Sequence, residues 1–264
     1  MRKFLALMII VLLAVGVFNC IAIAENDEKQ KAETKSSVLP ESQNNESAQH
    51  ISIGDTLIFG KYEQDRNNDN GPEDVEWIVL DVQDGKCLLL SKCGLDAIPY
   101  NESDDIYLPK DSTWAECTLR KWLNNDFYTT AFSSAEKSHI LVTKIDNTDS
   151  QGNNEWTTHG GKNTSDRIFL LSHNEVFNQY LGSSENAECL VTPYAVSTGA
   201  ISSPGVHTDG KLTCDWWLRS PGLEQNHAEN VAYYATGACE KSNTVSSSNG
   251  VRPALWVKTK GLYD

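Results

Sequence analysis

Cysteine is the residue of this chain with the widest chemistry, and six lie beyond the apolar N-terminus: Cys87, Cys93, Cys117, Cys189, Cys214 and Cys239. In an oxidising compartment an even number permits up to three disulfides, with fifteen possible sets of pairs that sequence does not distinguish. None has C-x-x-C spacing, which disfavours a redox motif or a zinc knuckle. Buried free thiols are the alternative, and we favour it for Cys117, which lies within a helical pattern.

The segment from Asp65 to Glu76 comes close to a calcium-binding loop. It places oxygen ligands at positions 1, 3 and 5 and a glutamate at position 12. Position 6, where such loops need glycine, is Asn70, and β-rich runs rather than helices flank the segment. Asn and Gly are also typical of a solvated hairpin connection. We therefore expect no metal and no cofactor, with calcium at this loop as an open alternative.

The short motifs of common hydrolases and metalloenzymes are missing from the sequence. It contains no G-x-S-x-G elbow, no H-x-H and no H-E-x-x-H, and its six histidines occur in unrelated contexts. A Ser, His and Asp set can be assembled on paper from any exported chain, but no motif supports one here. We expect no catalytic residues and a protein that is not an enzyme.

The N-terminus predicts export. A basic start at residues 1–3 precedes an apolar run over residues 4–18, and Ala22 and Ala24 lie before the polar Glu25. This order is typical of a signal peptide, so we expect cleavage after Ala24 and a secreted or cell-surface protein. One alternative is an uncleaved membrane anchor, because residues 4–24 are just long enough to span a bilayer. The other is lipidation at Cys20.

Beyond the signal segment, composition divides the chain in two. Residues 25–50 are almost all polar and cannot bury enough apolar surface to offset the entropy of ordering, so we expect a disordered linker. Residues 51–264 are long enough for one globular domain with a substantial core. We expect the linker to hold this domain off the envelope.

Charge narrows the class of partner. The formal net charge is −14, and no cluster of Lys and Arg appears along the sequence. Nucleic acids and anionic lipid surfaces need such clusters to release counterions, so we expect neither as a partner. An extracellular glycan, peptide or protein remains, and the membrane enters only through an uncleaved N-terminus.

The first β-rich runs predict a sheet. They are Thr56–Phe59, Val75–Leu80 and Lys86–Leu90, and Asp84-Gly85 predicts a tight hairpin between the last two. Later runs of the same kind are Arg167–Leu171, Asn230–Tyr234 and Val251–Val257.

Capping boxes predict three helices, in which a Ser or Thr side chain and a Glu three residues later satisfy the first backbone N–H groups. The pairs are Thr113 with Glu116, Ser133 with Glu136, and Ser172 with Glu175. We expect Glu116 and Arg120 to form an exposed i,i+4 pair. After Gly182 the helix signals stop. Helices in the first half and strands in the second predict an α+β fold with small antiparallel sheets, two or three flanking helices and long loops.

Four motifs carry a resemblance to a known family. Leu119–Phe127 reads LRKWLNNDF, Ile168–Ser172 reads IFLLS, Cys214–Gly222 reads CDWWLRSPG and Gly250–Trp256 reads GVRPALW. In this order they resemble a family of uncharacterised exported bacterial domains, a domain of unknown function. The resemblance runs from about Gly54 to Val257.

The Trp-Trp-x-Arg-Ser and Val-Arg-Pro motifs also resemble the C-type-lectin-like superfamily, which includes sulfatase-modifying-factor-like domains. The resemblance implies one compact α+β domain whose N- and C-terminal strands pair and whose loops present a ligand surface. The sulfatase-modifying relatives use paired cysteines, which draws attention to Cys214 and Cys239. The motif that carries those cysteines in that family is absent here, so its catalysis is not carried over.

The tryptophan and arginine residues of these motifs allow two interpretations. Aromatic rings and a guanidinium suit sugars or carboxylates. Alternation along a strand, however, puts Trp216 and Trp217 on opposite faces, so at least one of them is core. We favour a structural role for the motif residues, in which buried arginines satisfy carbonyls or a buried acid. The set is Trp122, Trp216, Trp217, Arg219 and Arg252.

The remaining chain predicts the ligand surface. If the Trp-Trp and Val-Arg-Pro segments share one sheet, the chain between them is displayed outward. We expect a non-catalytic recognition module that binds through loops 196–215 and 223–249, which are rich in Ser, Gly, Asn and Tyr. The loop 146–165 adds an aromatic candidate. The candidate binding residues are Trp156, His207, His227, Tyr233 and Tyr234. A cysteine-dependent oxidoreductase using Cys214 or Cys239, and a purely structural envelope protein, are the alternatives.

Overall fold

The structure is a computed structural model that describes residues 50–102, 110–182, 185–205, 207–234 and 237–262, without the side chains of residues 185, 233–234 and 237–240. The described residues belong to one compact unit, Ala48–Asp264. The expected signal segment and nearly all of the expected linker lie outside them. Within the described ranges, no helix is both long enough and apolar enough to cross a membrane.

Four antiparallel strands form the first sheet in the order β1-β2-β3-β15. They are β1 (Thr56–Tyr62), β2 (Glu73–Gln83), β3 (Lys86–Ser91) and β15 (Ala254–Lys258). Asp84 and Gly85 both take positive φ, 49° and 71°, as a tight two-residue hairpin requires. The three predicted strands and the turn between the last two are therefore confirmed.

Helices cover one side of the core. They are α1 (Thr118–Trp122), a π-helical turn (Leu123–Phe127), α2 (Tyr128–Ala131) and α3 (Ser134–His139). Leu119, Leu123 and Phe127 recur every four residues and are all buried, which explains why this stretch is helical. Ser133 and Glu136 form the predicted capping box.

The first predicted helix start is wrong. The helix begins at Thr118, and the N-cap is Cys117, whose sulfur accepts from the backbone N–H of Arg120. The expected Glu116–Arg120 pair does not form, because the Arg120 Nε donates to the buried Asp166 at 2.7 Å. A buried carboxylate outcompetes an exposed one, because only the buried group lacks water as an alternative partner.

A five-stranded sheet has the order β13-β12-β11-β14-β5. Its strands are β5 (Asp96–Pro99), β11 (Trp216–Pro221), β12 (His227–Tyr234), β13 (Gly237–Thr244) and β14 (Ser248–Val251). Trp216 pairs with Gly250 in parallel, so the Trp-Trp strand and Val251 share one sheet, as expected. The chain between them is mostly the β12–β13 hairpin, and residues 228–232 of β12 are buried, so a large part of the expected loop 223–249 is sheet.

The predicted strand Val251–Val257 divides between two sheets. β14 ends at Val251, and β15 begins at Ala254 in the first sheet, so Arg252 and Pro253 connect them. The implied pairing of N- and C-terminal strands is wrong, since β1 and β15 lie at opposite edges of the first sheet.

Smaller elements complete the described chain. A third sheet has the order β4-β8-β10-β9, and a two-stranded sheet pairs β6 with β7. Their strands are β4 (Cys93–Gly94), β6 (Thr143–Ile145), β7 (Thr164–Asp166), β8 (Leu190–Val191), β9 (Ser202–Pro204) and β10 (Leu212–Cys214). The helical elements are short 3-10 turns at Asp149–Gln151 and Glu185–Ala187, a second π-helical turn (Asn174–Tyr180) and α4 (Pro193–Thr198).

Arg167–Leu171 is not the strand that its composition predicts. Only Phe169 forms a bridge, to Ala254 of β15. The side chain of Asn124 occupies the neighbouring backbone groups: its Oδ1 accepts from the N–H of Arg167 at 2.8 Å, and its Nδ2 donates to the carbonyl of Ile168 at 2.8 Å. The Asn124 side-chain amide thus takes the hydrogen bonds that a neighbouring strand would otherwise make with this backbone. Mixed α and β elements with small, mainly antiparallel sheets confirm the α+β fold.

Candidate functional site

Arg219 of β11 is the centre of the most extensive buried polar network described. Its Nη1 donates to the carbonyl of Leu170 at 2.9 Å and to Glu175, and its Nη2 donates to Glu175 Oε1 at 2.9 Å and to the carbonyl of Asp146 at 3.1 Å. The Arg219 side chain is 2% exposed, and that of Glu175 is 20% exposed. This two-pronged pairing fixes both the position and the orientation of the carboxylate.

Glu175 also shapes the backbone that follows it. Its Oε2 accepts from the N–H of Ser172 at 2.9 Å, and the Ser172 Oγ accepts from the N–H of Glu175 at 3.1 Å. The predicted capping box is therefore present, but the turns after it are π-helical rather than α-helical. Single π-helical turns are common at functional sites, where they re-aim side chains.

A second acid–base pair, His173 with Glu229, lies next to this network. The His173 Nδ1 lies 2.5 Å from the buried carboxylate of Glu229. Ser220 accepts from the backbone N–H of His173, and its hydroxyl donates to the carbonyl of Gln151. The Ser220 hydroxyl therefore meets main chain, and these contacts connect β11, β12 and the second π-helical turn.

The π-helical turn forms one wall of a cavity of about 230 Å³, which we call the Trp256 cavity. Its apolar lining is made by Leu88, Ile145, Phe169 and Trp256. Its polar walls carry amides, carboxylates, a hydroxyl and one cation: Lys144, Asp146, Gln151, Asn174, Glu175, Gln179 and Tyr180. An apolar lining with a few convergent polar groups is the usual build of a ligand site, and this volume suits one small unit of a ligand.

Two titratable groups of the Trp256 cavity, Tyr180 and Asp146, have shifted pKa values. Burial, followed by the charges of Glu175 and Asp81, raises the pKa of Tyr180 to about 12. The backbone N–H of Thr148 is the largest cause that lowers the pKa of Asp146, and the charge of Arg219 adds to it. At neutral pH the cavity therefore offers a neutral phenol as a hydrogen-bond donor and a carboxylate as an acceptor.

A smaller cavity of about 10 Å³ lies on the other side of Arg219, with Asn147 in its wall. Arg219 Nε and Asn147 Oδ1 are buried and have no hydrogen-bond partner among the described residues. This volume is about that of one water probe, and a donor and an acceptor are the groups such a water needs.

The candidate calcium loop does not assemble the ligands that its pattern predicts. Carboxylate oxygens of Glu63, Asp65 and Glu73 lie within 4.8 Å of one another. Glu76, the residue at position 12 of the pattern, instead pairs with Lys92 at 2.6 Å. The Asp65 carboxylate accepts from the N–H of Asn67 at 2.7 Å, as in an ordinary turn. Only one ligand of the sequence pattern therefore lies in the acidic cluster.

Of the five candidate binding residues, the three with described side chains, Trp156, His207 and His227, do not line the Trp256 cavity. Trp156 is half-buried, and its loop is tied to the end of β11 because the Thr158 hydroxyl donates to the carbonyl of Gly222 at 2.7 Å. The half-buried His227 meets the Ser242 hydroxyl at 3.0 Å. His207 is exposed on the β9–β10 connection. Tyr233 and Tyr234 end β12, and their side chains lie outside the described part of the structure.

The structural-motif residues all pack into the core. Trp216 donates to the carbonyl of Ala187 at 3.0 Å, and Trp217 donates to the carbonyl of Ile98 at 2.9 Å. Arg252 is 1% exposed. Half-buried Trp122 packs edge-on against Tyr62, with ring centroids 6.4 Å apart.

Sequence reasoning missed the cavity itself. From the sequence, Glu175 was expected only to cap a helix, and Trp256 was only part of a family motif. Two signals were available: Glu175 belongs to a predicted capping box, and Arg219 was expected to need a buried acid. Nothing in the sequence, however, indicates that these two residues, 44 positions apart, form a pair.

Residues 84–259 match the DUF6273 family, which is described as a domain of unknown function, and the chain therefore belongs to that family. The match includes Arg219, the second π-helical turn and Trp256, and it begins after β1 and β2. No curated protein and no solved structure matches the chain.

Proposed function

We propose that this protein is a non-catalytic recognition module outside the cell, and that the Trp256 cavity holds one unit of a neutral glycan. The observation that carries the proposal is the composition of the cavity, which is lined by apolar and aromatic side chains together with amides and carboxylates. Sugar rings present apolar C–H faces and hydroxyl edges, which such surfaces recognise together.

The polar groups of the wall suit hydroxyls better than charged ligands. Gln151, Asn174 and Gln179 each offer both a donor and an acceptor. The net charge of −14 repels a polyanionic chain, which favours a neutral glycan over an acidic one. A peptide side chain is the alternative occupant, and it is an outcome of the test below.

The rigidity of the wall supports recognition at low entropic cost. Glu175 is fixed by Arg219 and by the backbone of Ser172, so its carboxylate does not have to be ordered when a ligand arrives. Sites held by supporting hydrogen bonds bind more tightly for the same contacts, because less freedom is lost.

The cysteine-dependent oxidoreductase is less well supported. Four described thiols, those of Cys87, Cys117, Cys189 and Cys214, are buried. The interaction with Cys189 and burial raise the pKa of the Cys214 thiol, and a neutral thiol is a poor nucleophile. The side chain of Cys239, the other candidate, lies outside the described part of the structure. A purely structural envelope role predicts no ligand at all, and the same binding experiment addresses it.

Two finer expectations belong to this proposal. Secretion or surface display rests on residues 1–24, and the expected cleavage is checked by N-terminal sequencing of protein recovered from the culture medium or cell surface. The C-type-lectin-like resemblance rests on the Trp-Trp-x-Arg-Ser and Val-Arg-Pro motifs, whose strands meet in one sheet. The N- and C-terminal strands, β1 and β15, do not pair with each other, and this weighs against the resemblance.

Calorimetric titration with neutral oligosaccharides released from cell walls tests the proposal. We expect Gln179→Ala to weaken binding about fivefold, because one hydrogen bond contributes about 1 kcal/mol. Asn125→Ala, which removes an exposed amide outside the cavity, serves as the matched control and should bind as the parent does. Binding of peptides but not of sugars, or equal affinity of both variants, would contradict the glycan proposal.

A further inference from the structure

Two cysteines face each other across the third sheet. Thr213 of β10 pairs with Leu190 of β8 in an antiparallel register, which places Cys214 opposite Cys189 one step along. The N–H of Cys214 donates to the carbonyl of Cys189 at 2.9 Å. Directly opposed, hydrogen-bonded residues have Cα atoms about 5.5 Å apart, which lies within the span of a disulfide.

The two thiols influence each other's titration. Burial acts to raise the pKa of Cys189, but the interaction with the Cys214 thiol and the charge of Arg252 bring it below its usual range, and the same thiol interaction, with burial, raises the pKa of Cys214. The Cys214 sulfur also lies so close to Gly94 and Gly250 that a Cβ on either would come within 2.7 Å of it. Two glycines therefore confine the Cys214 side chain to the space beside Cys189.

A buried cation lies near the pair. The charge of Arg252 lowers the pKa of both cysteines, against the opposite effect of their burial. The Arg252 Nε donates to the carbonyl of Ser91, and its Nη1 is buried without a described partner. A thiolate on Cys189 would supply the counter-charge, and the thiolate is the form of cysteine that attacks disulfides.

We propose that Cys189 and Cys214 form a disulfide when this protein folds in an oxidising compartment. The oxidant is an external disulfide of the glutathione class. The Cys189 thiolate attacks one sulfur of the oxidant, a mixed disulfide forms, and one thiolate leaves and takes up a proton. The Cys214 thiol then loses its proton and attacks the Cys189 sulfur, which releases the second thiol. Two electrons pass from the cysteines to the oxidant, whose disulfide becomes two thiols.

The bond would cross-link β8 to β10 and close the chain that contains α4 and β9. Both sulfurs are buried in the folded protein, so the oxidant reaches them only when the packing around the pair opens. A cross-link that closes a loop of roughly 25 residues stabilises mainly by restricting the unfolded chain. The inference does not depend on the glycan proposal.

The experiment refolds the full chain in a mixture of reduced and oxidised glutathione, alkylates the remaining thiols under denaturing conditions, and maps peptides by mass spectrometry. We expect one peptide pair linked through Cys189 and Cys214. Addition of a reductant should lower the thermal midpoint by about 10 °C.

Single variants separate this pair from the other thiols. Cys189→Ser should abolish the linked peptide and leave Cys214 alkylated, and the midpoint should no longer respond to reductant. Cys87→Ser, which removes a buried thiol on β3, is the matched control and should retain the link. Alkylation of both Cys189 and Cys214 in the refolded parent, or a link from either one to Cys93 or Cys239, would overturn the proposal.

Discussion

Arg219 and Arg252 are both buried arginines of family motifs, but their surroundings compensate the charge in different ways. Arg219 pairs with the Glu175 carboxylate and with two carbonyls. Arg252 donates from Nε to the carbonyl of Ser91 at 2.9 Å, and its guanidinium lies 4.9 Å from the centre of the Trp216 ring. One region uses a full counter-charge, and the other uses dipoles and an aromatic face.

The difference fits what each region positions. The Arg219 pair fixes the π-helical wall of the Trp256 cavity, where a side chain must hold one orientation. Arg252 lies where the chain passes from the five-stranded sheet to the first sheet. Breaking a charge pair leaves a charge behind, whereas removing a cation from dipoles leaves only neutral groups. Matched substitutions should therefore differ in cost.

The largest effect is expected for Arg219→Met. The substitution keeps much of the side-chain volume but leaves the Glu175 carboxylate without its partner. We expect the free energy of unfolding to fall by about 3 to 5 kcal/mol, measured by urea denaturation. The double variant with Glu175→Gln should recover part of the loss, because no unpaired charge remains. A loss below about 1 kcal/mol would show that the pair does not hold the wall.

Arg252→Met should cost less, about 1 to 3 kcal/mol, since only a carbonyl and an aromatic face lose their partner. The same urea experiment measures it, and the comparison between the two regions rests on the order of the two losses. If Arg252→Met costs as much as Arg219→Met, the proposed difference in compensation is wrong.

A smaller effect concerns pH in the Arg219 region. The pKa of Tyr180 rises from 10.0 to about 12 on folding, mainly through burial and then through the charge of Glu175. The unfolded chain therefore loses this proton first, and stability falls as pH rises from about 10 to about 12. After allowance for solvent, we expect a loss of about 1 kcal/mol. Tyr180→Phe should remove that part of the alkaline loss, as unfolding midpoints across this range would show; an unchanged slope would contradict the shift.

The smallest effect is expected at an exposed ion pair that provides the baseline for both arginines. Lys61 pairs with Asp74 at 2.5 Å, but both side chains are more than half exposed. Water and salt screen such a pair, so Lys61→Met should leave the urea midpoint within experimental error. A clear loss would mean that ion pairing, rather than burial, sets the ranking of the two arginines.

Local chemistry made parts of this fold predictable. The Asp84-Gly85 turn and the Ser133 capping box need only neighbouring residues, and both are where the sequence places them. α4 was missed although its signals are also local: Thr192 caps it, Pro193 begins it and Gly199 ends it with a left-handed φ of 115°.

Features that depend on distant contacts were not predictable in the same way. Composition predicts a strand at residues 167–171, but the Asn124 amide takes its backbone partners from more than forty positions away. The family motifs predicted that the Trp-Trp and Val-Arg-Pro segments meet, and they do. Two features follow only from the packing of elements that are far apart in sequence. They are the pairing of Arg219 with Glu175 and the place of Trp256 in the lining of the cavity.

The most direct test of the account is a nuclear magnetic resonance titration of the isotope-labelled protein with the neutral oligosaccharide that binds best. The account predicts chemical-shift changes concentrated at residues 143–151 and 174–180 and at the Trp256 indole. Changes concentrated instead at the exposed β9–β10 connection around His207, or at the acidic cluster of Glu63, Asp65 and Glu73, would contradict the assignment of the Trp256 cavity as the binding site.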